Sequence, residues 1–291
     1  MLYIFQTCIF LIWCFWTVKK GKYSWFVVIS AYFMFVLIVD APKVVFSHFL
    51  RLYTFPINLL SDPNKDHQLG LIFSDGLILP LTGIIFCHYA AQTKNHWRLS
   101  CVFTVLQGTL EWVYLNLGYL HYYKWNIWLS VAIYFIGFRI TAKYASRIMR
   151  YNPPVPYALR IAGATYTTTV WVGAVLGGEL IRLYEWIPHI FKLHSAEDRF
   201  PDVAISWALA LLSSLIVPEI HHKYRPMVFV IFAAIATAIY YVGYARGWLI
   251  YHSWNHLFTA LRWFVPFGVV MWFDICESNH EVSGPQSSSG K

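Results

Sequence analysis

Read for hydrophobic and polar positions, the chain is a succession of apolar runs separated by short polar breaks. A helix rises 1.5 Å per residue, so about 20 apolar residues cross a hydrocarbon core of about 30 Å. The pattern predicts nine such helices: Leu2–Val18, Ser24–Asp40, Leu69–Ala91, Leu99–Leu120, Trp125–Lys143, Ala158–Leu183, Val203–Ile220, Met227–Tyr244 and Trp254–Phe273. The first run has no basic segment before it and no small-residue cleavage site after it, which predicts a retained helix and not a signal peptide.

Charge in the breaks orients these helices. Lys and Arg are held back on the cytoplasmic side of short loops. One side collects Lys19, Lys20 and Lys22, then Lys94 and Arg98, then Lys143, Arg147 and Arg150, then Lys223 and Arg225; the other short loops hold only Lys124 and Arg246. The expected protein is therefore a multi-pass plasma-membrane protein with its amino end outside and its carboxyl end in the cytoplasm. Residues 278–291 are polar and rich in Ser and Gly, and are expected to form a disordered cytoplasmic tail.

The pattern also repeats. Gly118–Phe138 and Gly247–Phe267 share Gly118/Gly247, Leu120/Leu249, Tyr122/Tyr251, Trp125/Trp254, Asn126/Asn255, Phe135/Phe264 and Phe138/Phe267, seven identities in 21 positions without a gap. Upstream, Phe73–Asp75 resembles Phe200–Asp202, and Ser47–Leu52 resembles Pro188–Leu193. The expected fold is an all-α polytopic transmembrane helix bundle of about nine spans. Residues 1–23 form a leading helix, 24–150 a first four-helix repeat and 151–277 a second. An even number of spans in each repeat makes the two copies parallel, related by an axis along the membrane normal.

Composition agrees with the pattern. With 58% hydrophobic, 19% aromatic and 12% charged residues, the chain lacks the polar surface of a soluble protein of this length. Its net charge of +8 is scattered between apolar runs, which argues for anionic lipid and against a nucleic-acid partner. The five cysteines form no C-x-x-C pair and are expected to be buried as small apolar side chains.

Charges inside apolar helices need a reason, since each costs roughly 2.5–3.5 kcal/mol on insertion scales. Glu111 lies seven residues before Gly118 and Arg262 eight after Trp254, depths of roughly 10 and 12 Å below the same face. They are candidates for a pair joining the two repeats, lining a polar path or docking the halves. Glu179 and Arg182 sit one turn apart at the end of the sixth span, after Gly173-x-x-x-Gly177, whose small residues would let a neighbouring backbone approach. Asp75 and Asp202 are expected in the first turn of their helices, where a carboxylate meets free N–H groups; Asn126 and Asn255 are expected to cap the next helices. Together Asp75, Asp202, Asn126 and Asn255 would line an outer vestibule. His252 and His256 would share a helix face only if the last span began early, His221–His222 is a poor metal site alone, and His88 reads as a packing residue.

Asp75, Pro80, Glu111, Gly118, Tyr122, Trp125, Asn126 and Ser130 carry a resemblance. Residues 73–138 resemble a family of small polytopic membrane proteins of spore-forming Gram-positive bacteria, about half as long as this chain and with no agreed activity. The resemblance implies a bacterial plasma membrane and no particular chemistry. The second copy departs from it, with Tyr240 where the first has Glu111 and no counterpart of Pro80.

No Walker loop, dinucleotide glycine pattern, H-E-x-x-H helix or G-x-S-x-G elbow occurs, so no cofactor, metal or catalytic residue is expected. The leading expectation is a transporter- or channel-like protein for a small solute, with lipid as its surroundings and no sequence feature setting an oligomeric state. The alternatives are a non-catalytic protein of membrane assembly or sensing, including one serving sporulation, and a membrane-embedded lipid enzyme. A transporter requires a polar cavity reaching inward, an assembly protein a filled core, and an enzyme acids or bases converging on a lateral opening.

Overall fold

The structure, a computed structural model, describes residues 2–151, 154–177, 180–191 and 194–282. Among the described residues the regular structure is helical apart from two short antiparallel ribbons, and the chain divides into two compact units, Met1–Pro156 and Tyr157–Lys291. Among the described residues, six helical stretches are long and apolar enough to cross a membrane: Leu2–Gly21, Trp25–Phe49, Pro63–Ala90, Ala196–Glu219, His222–Ala245 and His256–Asn279. These are the elements of a multi-pass membrane protein in a lipid bilayer.

The first unit begins with α1 (Leu2–Gly21) and α2 (Trp25–Val44), the latter capped by Ser24 and continued by a π-helical segment, Val45–Phe49. After β1 (Tyr53–Thr54) the chain enters α3 (Pro63–Leu71), a second π-helical segment (Ile72–Ile78) and α4 (Leu79–Ala90) as one rod. Asp62 caps that rod and Pro63 occupies its first turn, where the missing N–H costs nothing. The second π segment stands directly before Pro80, whose ring would otherwise press on the preceding turn. Then come α5 (His96–Asn116), β2 (His121–Tyr122) and α6 (Ile127–Arg150). Phe10, Phe35, Ile85, Phe86, Phe103, Ala142 and Met149 form the core. A Cβ at Gly83 would stand 2.8 Å from the Phe35 ring, so α2 packs on α4 at glycine distance.

The second unit runs α7 (Tyr157–Leu176), β3 (Tyr184–Trp186), α8 (His194–Ile216), α9 (Arg225–Ala245), β4 (Leu249–Tyr251) and α10 (His256–Val282). α7 stops at Leu176, seven residues before the expected end of the sixth span, and Arg182 lies beyond the helix in the left-handed region (φ 62°). α10 continues through Val282, so the polar residues from Ser278 to Val282, assigned to the tail from sequence, are helical. Among the described residues there are nine long helical elements, of which α5, α6 and α7 are less apolar than the six stretches above. α5 carries Arg98, Gln107 and Glu111; α6 carries Arg139, Lys143 and Arg147; α7 carries Arg160 and four threonines.

The same local devices build both units. Gly118 and Gly247 (φ 74° and 71°) end α5 and α9, and the next amides return to Tyr114 and Gly243 carbonyls at 2.9 Å. β1 pairs with β2 through Tyr53 and Tyr122, and β3 with β4 through Tyr184 and Tyr251. The Phe55 amide donates to His67, and the Trp186 amide, 131 residues on, donates to Asp198. Asp66 accepts four amides from Ile57 to Leu60 at 2.7–2.9 Å, and Glu197 accepts that of Ile190 at 2.7 Å. In this register Asp202 falls opposite Leu71, not Asp75. The likeness of Ser47–Leu52 to Pro188–Leu193 also does not align, because the first precedes its ribbon strand and the second follows it, with Lys192 and Leu193 outside the described residues.

Of the cysteines, Cys14 and Cys87 are buried as expected, whereas Cys8 and Cys101 face outward from α1 and α5.

Candidate functional site

The ribbon end of the first unit is a hydrogen-bonded corner. Asn126 caps α6 by accepting the Leu129 amide at 2.9 Å, which aims Trp125 and Ser130 toward α5. Trp125 Nε1 donates to Ser130 Oγ at 2.8 Å, and Ser130 donates in turn to Glu111 Oε1 at 2.6 Å. The Tyr122 hydroxyl donates to the same oxygen. Burial, and then the Glu111 charge, push the Tyr122 phenol above its ordinary range, so it stays a proton donor. The second oxygen of Glu111, a residue 8% exposed, has no close hydrogen-bond partner, although the Tyr134 hydroxyl also interacts with this carboxylate.

Glu111 borders a cavity of about 290 Å³ inside this unit. One wall is aromatic, with Tyr3, Phe35, Phe46, Tyr53 and Tyr114 among its residues; Tyr3 stacks on Tyr114 at 4.4 Å and donates to the Tyr119 carbonyl at 2.8 Å. Both π-helical segments reach it, through Phe46 and through Ser74 and Ile78. Lys43 also lines it, but its ammonium is held 2.6 Å from Asp75 and lies over the Phe55 ring. Ile38 on α2 and Ile133 on α6 line the cavity while about half exposed, so its mouth is apolar and lies between those two helices.

The second unit builds the same corner from Asn255, Trp254, Tyr251 and Thr259. Asn255 accepts the Phe258 amide at 2.9 Å, and Trp254 and Tyr251 bond Thr259 at 3.0 and 2.7 Å. Here the place of Glu111 is taken by Tyr240. A carboxylate comes instead from α8, where Asp202 accepts from Tyr184 (2.8 Å), Trp186 Nε1 (3.1 Å) and the Tyr240 hydroxyl. Arg262, in the place of Ile133, lies 3.7 Å from Asp202 and donates to the Tyr184 hydroxyl at 3.3 Å. Arg262, Tyr184 and Tyr240 are all less than 3% exposed, so this position is packed shut.

The residues singled out from sequence are thus distributed as follows. Glu111 and Arg262, expected to meet each other, each have partners within their own unit. Asp75 is not in a first turn; it is fully buried in the π-helical segment and ion-paired to Lys43. Asp202 is likewise not a cap, lying eight residues inside α8. These four residues of the expected vestibule therefore split, Asn126 and Asn255 capping helices and the two aspartates lying in ion pairs. Glu179 is outside the described residues, and Arg182 bonds Glu185 at 3.2 Å. Gly173 makes room for side chains and not for a backbone: a Cβ there would stand 2.7 Å from Asp202 Oδ2 and against Arg262. His252 lies in the loop before α10 and bonds Glu185 at 2.9 Å, so it shares no helix face with His256; His88 contacts Tyr23 at 3.2 Å.

Sequence reasoning missed Lys43, Gln107 and Asp66. It also missed a buried charge cluster joining the start of α7 to the end of α10, in which Arg160 pairs with Glu277 and Asp274 accepts from Tyr157 and Arg225. Each of these charges lies beside a helix end in sequence, where it reads as solvated, and only the pairing of α7 with α10 buries it. Comparison with protein-family models, curated proteins and solved structures finds no match for the chain.

Proposed function

We propose that the protein is a multi-pass plasma-membrane protein of transporter-like architecture whose first unit binds a small solute. The observation that carries this reading is the cavity of about 290 Å³ bordered by buried Glu111, near the lower end of small-molecule sites. In this reading α5, α6 and α7 cross the bilayer with the six more apolar stretches, with Gln107, Glu111 and Arg160 buried in protein and the exposed Arg98, Lys143 and Arg147 at the cytoplasmic ends, giving nine spans with the amino end outside. The two units are copies of one design, a reading supported by the recurring ribbon, glycine stop, asparagine cap and Trp-to-hydroxyl bond. The likeness to membrane proteins of spore-formers remains part of the proposal, supported by the way Glu111, Tyr122, Trp125, Asn126 and Ser130 act in one corner.

The packed core of the second unit favours a second role there, as a structural partner serving assembly. The test is a thermal-stability screen of the protein in lipid nanodiscs against small solutes, since a ligand bound only to the folded state raises Tm. Gly137 lines the cavity with open space at its Cβ, so Gly137→Trp should block the site without disturbing the fold. At least one solute should stabilise the parent and not this variant. Equal responses from both proteins would defeat the reading.

A further inference from the structure

We infer that the cavity of the first unit takes a small organic cation, an ammonium group on an apolar or aromatic body. This rests on the solute-binding reading above and names its ligand class. Three observations carry it.

The first is charge. Asp75 is compensated by Lys43 at 2.6 Å, while the groups around Glu111 are the neutral hydroxyls of Tyr122, Ser130 and Tyr134. Two carboxylates and one ammonium leave the site one positive charge short. The second is hydrogen bonding. Glu111 and Gln6 line the same cavity, and their buried oxygens Oε2 and Oε1 have no close hydrogen-bond partner, on residues 8% and 5% exposed. Both are acceptors, so the missing group is a donor, and an ammonium has donors to spare. The aromatic wall adds the ring faces on which cations settle.

The third is the second unit. There the corner is the same, and the protein supplies its own cation: Arg262, standing where the first unit has Ile133, places a guanidinium beside the buried carboxylate of Asp202. In the first unit that side chain is an isoleucine at the mouth of an open cavity, and the cation must arrive from outside. The apolar mouth between α2 and α6 suits a ligand whose body is apolar.

The test uses three probes of one shape on the full chain in phosphatidylcholine nanodiscs: phenethylammonium, neutral 2-phenylethanol and anionic 3-phenylpropanoate, titrated by calorimetry. Phenethylammonium should bind at least about tenfold more tightly than the other two, because the charge-assisted bond is available to it alone. Glu111→Gln should weaken phenethylammonium by about tenfold and leave 2-phenylethanol within about twofold. Ile133→Arg, which copies the second unit, should abolish phenethylammonium binding. If Glu111→Gln fails to elute as a single folded species, Gln6→Leu takes its place, with a loss of about threefold expected from one hydrogen bond. Equal or tighter binding of the alcohol or the carboxylate would overturn the ligand class and leave the binding site standing. Saturable binding by none of the three would overturn the solute-binding reading itself.

Discussion

In the first unit Glu111 comes to the Tyr-Trp-Asn corner from α5 and borders a cavity; in the second, Tyr240 stands at that step of α9, and the carboxylate is Asp202 from α8, with Arg262 beside it. The corner itself is alike in both, down to the indole that donates to a hydroxyl five residues on. The difference therefore lies in what the corner is asked to hold. A buried carboxylate left facing a cavity is costly, because the interior offers little to replace its water. The second unit offsets that cost with a guanidinium and three neutral donors. In the first the carboxylate borders a cavity with one oxygen lacking a close partner, whereas the atoms without a hydrogen bond in the second, Arg262 Nη1 and Nη2, are packed shut.

The largest test of this contrast is Arg262→Leu, which strands Asp202 without its cation and should cost about 3–5 kcal/mol of unfolding free energy, measured in mixed micelles. Replacing Asp202 and Arg262 together by leucines should recover most of that loss, because a buried pair is worth little against apolar packing. A double variant as unstable as the single one would break the account of the second unit. Next comes Ser130→Ala against Thr259→Ala: Ser130 bonds a charged group and should cost about 1.5–3 kcal/mol, Thr259 only neutral ones and about 1 kcal/mol. Equal losses in chemical denaturation would mean that Glu111 is not the acceptor that sets the first unit apart. The smallest effect, and the control, is Asn126→Ala beside Asn255→Ala, each expected to cost about 1 kcal/mol for the lost cap and to match the other. A large difference between those two would show that the corners are not one design.

Asn126 and Asn255 were legible as caps because a cap is decided within three residues of chain, and the glycines after α5 and α9 because a left-handed residue favours glycine wherever it falls. The likeness of Gly118–Phe138 to Gly247–Phe267 was legible for the same reason, since the bonds that these blocks make are mostly short in sequence. Asp75 and Asp202 misled. Each lies near the start of an apolar run, but both helices begin earlier than their hydrophobic stretches do, with polar first turns whose carboxylates bind amides of the chain beside the ribbons.

By itself the sequence determined where the long helices fall, the asparagine caps and glycine stops, and the Trp-Asn corner that recurs 129 residues apart, but not the end of α7, the length of α10 or the starts of α3 and α8. The tertiary structure alone decided which charges meet. Lys43 finds Asp75 across 32 residues, Arg262 stands by Asp202, and Arg160 finds Glu277 across 117. It also decided that the corner of the first unit borders a cavity while that of the second is packed shut. The reason is physical: helix formation and capping are settled by neighbours along the chain, whereas the partner of a buried charge depends on which helix faces pack together. Only packing brings Arg262 to the side of Asp202, and only packing leaves Ile133 at an open mouth.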